Sequence, residues 1–232
     1  MALKISKNGN GGNRVEQAVI EADVYRARLV QLIDLGLQAQ RAFQGKDKPP
    51  AQEIMLTYEL VDEFMKDEEG NDVEDKPRWV SETLPFYGLF ADKAKSTQRY
   101  NVFDPKGDWD GDFTQALGMA INLTIVNNAK GDKVYTNVGN VAAMSEKKVA
   151  VCPELCNPTT AFDLDDPDMV VFEKLPEWIQ KKIVENLNFK GSVLEGKING
   201  DAPAKEKPTD KPKKAKPAPE PEGDDENEEN PY

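Results

Sequence analysis

The chain has 232 residues, 38% of them hydrophobic, a formal net charge of −12, no histidine and two cysteines. That is enough for one sizeable domain with extensions, and no apolar run approaches the length needed to span a bilayer. Without histidine every His-dependent triad is excluded, and the CPELC spacing of Cys152 and Cys156, with no second pair, excludes a four-ligand zinc site from one chain.

Both thiols are expected to be reduced, and a start lacking the apolar stretch of a signal peptide points to the cytoplasm. The acidity is not confined to one end. Residues 201–232 hold six Lys and ten Asp or Glu, net −4, which leaves about −8 on the first 200 residues. This argues against a strongly basic nucleic-acid protein, although a local basic groove on an acidic body still attracts phosphate through its own field.

Residues 1–14, rich in Gly, Asn and Lys, are expected to form a flexible arm. The domain begins with a long strand over Asp23 to Gln40, on which Ala27, Leu29, Ile33, Leu35 and Leu37 share one side and Arg26 and Arg28 the other. Val30, Leu32 and Asp34 break the alternation, so the strand is expected to twist or change partners there, with Gly36 allowing a bend. Two prolines and a glycine make residues 42–52 an exposed loop carrying Lys46 and Lys48. Glu53 to Leu60 alternates as a second, antiparallel strand, and Asp62 to Lys76 reads as a solvated acidic connection. Arg78 to Tyr87 is a third strand ending near Pro85, followed by a helix over Lys93 to Phe103 capped by Asp92.

Pro105 to Asp112 is turn-rich and Phe113 to Gly118 is a further helical turn. Ala120 to Asn127 and Val134 to Val141 are two strands joined through Lys130 and Gly131, the clearest hairpin in the chain. Five strands with a helix between the third and fourth is the order of an OB-fold barrel. Pro153 to Asp168 reads as an acidic loop, and Glu177 to Leu187 as an amphipathic helix packed on the barrel. The domain therefore runs over residues 15–199. Residues 200–232 form a disordered tail, basic and then acidic.

No phosphate loop, GxSxG motif or nucleophile with an adjacent base is present. Asp104, Asp108, Asp110 and Asp112 cluster, as do Asp163, Asp165, Asp166 and Asp168, but the first set departs from a calcium loop and both suit solvated loops. A carboxylate-based nuclease is therefore the weakest of three readings, and no cofactor is expected. Single-stranded nucleic acid needs aromatic faces interleaved with cations. The candidates for phosphate contact are Arg26, Arg28, Arg78, Lys95, Arg99, Lys130 and Lys133; those for base stacking are Tyr25, Trp79, Tyr100 and Tyr135. At the other end, Asp224, Asp225, Glu226, Glu228, Glu229, Pro231 and Tyr232 place an aromatic ring and a carboxylate at the tip of an acidic string, suited to a partner pocket with a basic rim. An adaptor that binds proteins but not DNA is the second reading.

The segments VYRARLVQLIDLGLQ, EIMLTYEL, KPRWVSETLPFYGLF, ALGMAINLTIVNN and KVYTNVGNV, with the acidic tail, resemble the small single-stranded DNA-binding proteins of tailed bacteriophages. The resemblance covers residues 20–145, and EENPY is similar to the acidic ends of bacterial single-stranded DNA-binding proteins. It implies an OB-fold that coats single-stranded DNA in phage replication and recombination, a tail that recruits replication proteins, and a place in the host-cell cytoplasm.

Overall fold

The computed structural model describes residues 17–42 and 44–200. The arm expected over residues 1–14 and the tail from residue 201 on, with all seven tail candidates, lie outside the described residues. The fold is mainly β. Strands β1 (Val24–Gln38), β2 (Ala51–Lys66), β3 (Asp72–Pro85), β4 (Ala120–Lys130) and β5 (Lys133–Ala143) form an antiparallel sheet in the order β3-β2-β1-β4-β5. A short β6 (Thr160–Phe162) joins β1 in parallel.

The irregularity expected in β1 marks a change of partner. Pairing with β4 ends at Arg28↔Ala120, the register against β2 shifts between Leu29 and Gln31, and β6 takes over from Gln31 to Ile33. Both faces of the strand are consequently buried, because β1 lies between two cores. On the inner face Ala27, Leu29 and Leu32 meet Ile54, Leu56, Tyr58, Ile121, Leu123 and Val138. On the outer face Ile33, Leu35 and Met55 meet a layer made of α3 (Met169–Lys174), α4 (Glu177–Val184) and α5 (Val193–Asn199), through Phe172, Ile179, Ile183 and Leu194. The helix expected at 177–187 does pack on the sheet, through Ile179 and Ile183. It stops at Val184 because the chain turns back, Leu187 N donating to Leu37 O at 2.9 Å.

Other expectations are corrected. The acidic stretch from Asp62 is not a loop: β2 runs to Lys66 and β3 starts at Asp72, leaving only Asp67 to Asn71 as the turn. An exposed two-stranded ribbon is held by main-chain hydrogen bonds and needs no apolar alternation, and the Asp67 carboxylate accepts from Glu69 N and Asn71 N. Asp92 does not cap the inserted helix; α1 (Lys95–Phe103) begins after Ala94 with no side-chain cap. The stretch read as loop at 153–168 contains β6.

Closure into a barrel is not made by strand pairing, since no ladder joins β3 to β5 among the described residues. Side chains of α1 bridge these two edges instead. Arg99 donates to Glu82 of β3 through Nε at 2.8 Å and Nη2 at 3.3 Å, and also to Gly139 O and the Asn140 side chain of β5 at 3.5 Å. Tyr58 OH donates to the same Glu82 carboxylate at 3.0 Å, and Lys95 lies 3.2 Å from it. Beneath this clasp the Tyr100 ring meets Phe113 edge-on at 5.5 Å and Trp109 at 6.2 Å.

The helical layer joins the end of β1 around Gly36, whose φ is +78° and where a Cβ would come within 2.6 Å of the Asn186 side chain. Beside it the Asp34 carboxylate accepts from Gly36 N at 2.8 Å and from the Gln52 amide at 2.5 Å. Burial raises the Asp34 pKa above the usual carboxylate range; the two hydrogen bonds oppose this, and Asp163 and Asp165 add to it.

Two outcomes test this account. Arg99→Ala leaves the Glu82 carboxylate buried without its main partner and is expected to cost about 3–5 kcal/mol in urea unfolding, whereas Lys95→Ala, at a half-exposed site, is expected to cost under about 1 kcal/mol. Because Asp34 is raised in the folded state, its contribution is present at pH below its unfolded pKa and is lost as pH rises through the folded value. Asp34→Asn, which keeps an acceptor, is therefore expected to match wild type in acid and to become the more stable of the two toward neutral pH; a difference independent of pH would refute this.

Candidate functional site

In a strand, consecutive side chains point to opposite faces, so a cation next to an aromatic residue does not share its surface. Residues two apart do. The β4–β5 hairpin carries such a pair. Ile121, Leu123, Ile125 and Val138 face the inner core, so Thr124, Val126, Asn137 and Tyr135 face out. Lys133 is two residues from Tyr135 and directly opposite Lys130, which puts both lysines and the ring on one side of the hairpin tip. The Tyr135 side of the tip is open, the residue being 49% exposed. Within residues 120–143 the only charged side chains are Lys130, Asp132 and Lys133, a net positive stretch in a chain of net −12.

Arg26 lies on the same outer face, opposite Asn122 of β4, about 26 Å from the tip along the strand. It makes a two-pronged ion pair with Asp62, at 2.7 and 2.6 Å, and donates to Val151 O at 3.3 Å. The side-chain bonds to Asp62 hold the Arg26 pKa above its ordinary value. Near it the short α2 (Glu146–Val149) adds the exposed Lys147 and Lys148. Between Arg26 and the hairpin tip the outer face of β4 and β5 is thus an uncharged strip that includes Asn122, Thr124, Val126, Asn128 and Asn137, with cations at each end.

The other candidates divide. Trp79 is on the outer side of β3, opposite Glu59, with 45% of its surface exposed and its indole N–H donating to Glu59 at 3.0 Å. It is cut off from the hairpin face by the segment 152–157. Arg28 and Glu59 fasten that segment. Arg28 donates to Pro153 O at 2.7 Å, Cys152 O at 3.1 Å, Gly118 O at 2.7 Å and the Glu154 carboxylate at 3.0 Å. Glu59, fully buried, accepts from Cys156 N at 2.6 Å and the Asn157 amide at 2.7 Å. Arg28 is therefore a buried strut, with four acceptors in hand, and not a phosphate contact.

Arg99 and Tyr100 are likewise corrected. Both are buried under α1, Arg99 in the Glu82 clasp and Tyr100 donating to Asp104 at 2.9 Å while accepting from Gly111 N. On a helix packed over two sheet edges, two neighbouring positions can both turn inward. Burial, followed by the bond to Asp104, raises the Tyr100 pKa. Tyr25 packs against the inner core and donates to Glu21 O at 3.0 Å, and Arg78 donates to Ala18 O at 2.7 Å, so both tie down the segment that precedes β1. Lys95 is half-exposed beside Glu82.

The aspartates of the 104–112 loop serve the backbone. Asp104 accepts from Asp108 N and Trp109 N at 2.9 Å; burial pushes its carboxyl up, but these donors outweigh it and the pKa is lowered. The Thr114 hydroxyl, donating to Asp112, lowers that carboxyl too. Among the described residues no group of three His, Cys, Asp or Glu is placed to hold a metal ion. Cys152 and Cys156 are both free thiols, the first buried and the second exposed.

Sequence reasoning overlooked the loop after β3. Phe86, Tyr87 and Leu89 are all substantially exposed, and Phe90 is 90% exposed. The run PFYGLF, apolar but interrupted by a glycine immediately beyond a strand-ending proline, was the available signal. No protein-family model matches the chain, and neither the curated proteins nor the solved structures contain a significant match to it.

Proposed function

We propose that the chain binds single-stranded DNA without sequence preference, in phage replication and recombination, and that the outer face of the β4–β5 hairpin is the contact surface. The observation that carries this reading is the union of Tyr135, Lys130 and Lys133 on one face, within a stretch free of acidic side chains except Asp132 at its turn. An exposed ring accepts any base, because every base has a π-face, and flanking lysines follow the phosphates. In this reading the five strands and inserted helix are an OB-type barrel whose edges α1 clasps in place of a final ladder. Arg26 marks the far end of the DNA track. The acidic tail ending in Pro231 and Tyr232 recruits replication proteins, and no catalytic step is involved.

The adaptor reading is favoured by one observation, the exposure of Trp178 and Leu187 on the helical layer. The two are separated by anisotropy of labelled oligo-dT with duplex as control. The DNA reading expects a preference for the single strand. It expects Tyr135→Ala to weaken binding by about 1–3 kcal/mol, roughly 5- to 150-fold. Replacing both Lys130 and Lys133 by Ala is expected to reduce the salt slope by about 1.4, at about 0.7 per lost phosphate contact. No binding by wild type, or equal binding to duplex, leaves the adaptor in front.

A further inference from the structure

At the end of the sheet where β6 joins β1 lies an apolar recess of about 280 Å³. Its walls are Leu32 of β1, Ile54 of β2, Phe86 beyond β3, Phe113, and Phe162 of β6. The exposed Leu89 extends this apolar surface outward, since a Cβ added at Gly111 on the lining would lie 3.8 Å from its Cδ1. Three carboxylates, Asp34, Asp112 and Asp163, stand around the recess, and no basic side chain lines it.

All three carboxylates are held by neutral donors. Asp34 accepts from Gly36 N and the Gln52 amide, both on Oδ1, so that Oδ2 takes no hydrogen bond among the described residues. Asp112 accepts from Thr114 and the Gln115 amide, and Asp163 from Asp165 N. None of the three is ion-paired among the described residues. A cation brought here meets uncompensated negative charge beside apolar walls, where water screens it least. The recess lies just below the range of about 300–1,000 Å³ usual for drug-sized ligands, so it suits one or two residues of a peptide. An occupant therefore needs a compact apolar body with positive charge on either side.

The chain itself carries such a segment. Residues 211–219, KPKKAKPAP, hold four lysines, three prolines, two alanines and no acidic residue. Proline-rich segments favour an extended polyproline II course and seat their rings in aromatic-lined grooves with little conformational entropy left to lose. The start of this tail is close to the recess. Ser192, which caps α5, lines an adjoining cavity with Asp34, Gln52 and Asp165. Lys197 donates to Pro167 O at 2.7 Å and lies 3.6 Å from Asp166. The chain from Gly200 to Lys211 can span up to about 36 Å, whereas α5 is only about 10 Å long, so the block reaches the recess with chain to spare.

We propose that the recess between β1, β2 and β6 is the seat of the chain's own residues 211–219, with the prolines packed on Phe86 and Phe113 and the lysines against Asp34, Asp112 and Asp163. Seating withdraws four lysines from other polyanions and leaves residues 224–232 beyond the seat for a partner. It does not depend on the single-strand reading.

The test uses the full-length chain and a water-soluble carbodiimide, which joins a lysine to a carboxylate in contact with it, with the joined peptides identified by mass spectrometry. Lys66 and Asp72, 2.6 Å apart on the β2–β3 ribbon, give the internal reference. Lysines of residues 211–219 are expected to join Asp112 and Asp163 in preference to Asp166, which touches α5 and lies nearer the start of the tail. The yield relative to the reference should not change on dilution, because the contact is intramolecular. Phe86→Ala, and separately Pro212, Pro217 and Pro219 all replaced by Ala, are each expected to lower it about fivefold. The second variant leaves the folded body untouched, so its loss cannot come from unfolding. Joining spread evenly over the surface carboxylates, or directed mainly to the acidic residues 220–229 of the tail, would overturn the proposal. A yield that falls on dilution would do the same, since a second copy would then supply the block. So would an unchanged yield in either variant, because charge alone would then be holding the lysines nearby.

Discussion

The pairing of Arg99 with Glu82 holds the two edges of the sheet together. Both side chains are almost wholly withdrawn from water, and Glu82 also receives Tyr58 OH and Lys95. A buried charge pair adds little net stability compared with apolar packing, but breaking it strands a charge. Its value here is positional. Arg99 reaches Glu82 of β3 on one side and Gly139 and Asn140 of β5 on the other, and Lys95 likewise spans Glu82 and Val138 O. The approach of these two edges depends on side chains of the inserted helix and not on a sixth ladder.

A second polar anchor shapes the opposite surface. Arg28 and Glu59 stand directly across from one another on β1 and β2, and each fastens the same crossing segment, one by donating to its carbonyls and the other by accepting from its N–H groups. That segment divides the outer face of the sheet into two uncovered strips. One belongs to β4 and β5 and carries Tyr135; the other belongs to β3 and carries Trp79. The division of the outer face thus follows from the satisfaction of two buried charges.

The misreadings share a physical origin. Taking each cation beside an aromatic as a unit treats sequence neighbours as surface neighbours, yet in strands they are on opposite faces. Arg28 and Trp79 are outward where Tyr25 and Arg78 are inward or terminal, and only Lys133 with Tyr135, two apart, form a real pair. The recess residues were invisible for a different reason. Asp34, Phe86, Asp112 and Phe162 are far apart in the chain, and nothing in the local pattern of any of them announces that they line one cavity.

By itself the sequence determined the five long strands, the antiparallel β1–β2 and β4–β5 pairings, the inserted helix and the change of partner within β1. Those features are written in alternation, turn residues and breaks of period, which act over a few residues. Only the tertiary structure decided which charges are buried as struts and which remain at the surface, that the sheet stays open, and that a helical layer covers its second face. These outcomes depend on contacts between distant segments, where burial and hydrogen-bond satisfaction, not local propensity, select the arrangement.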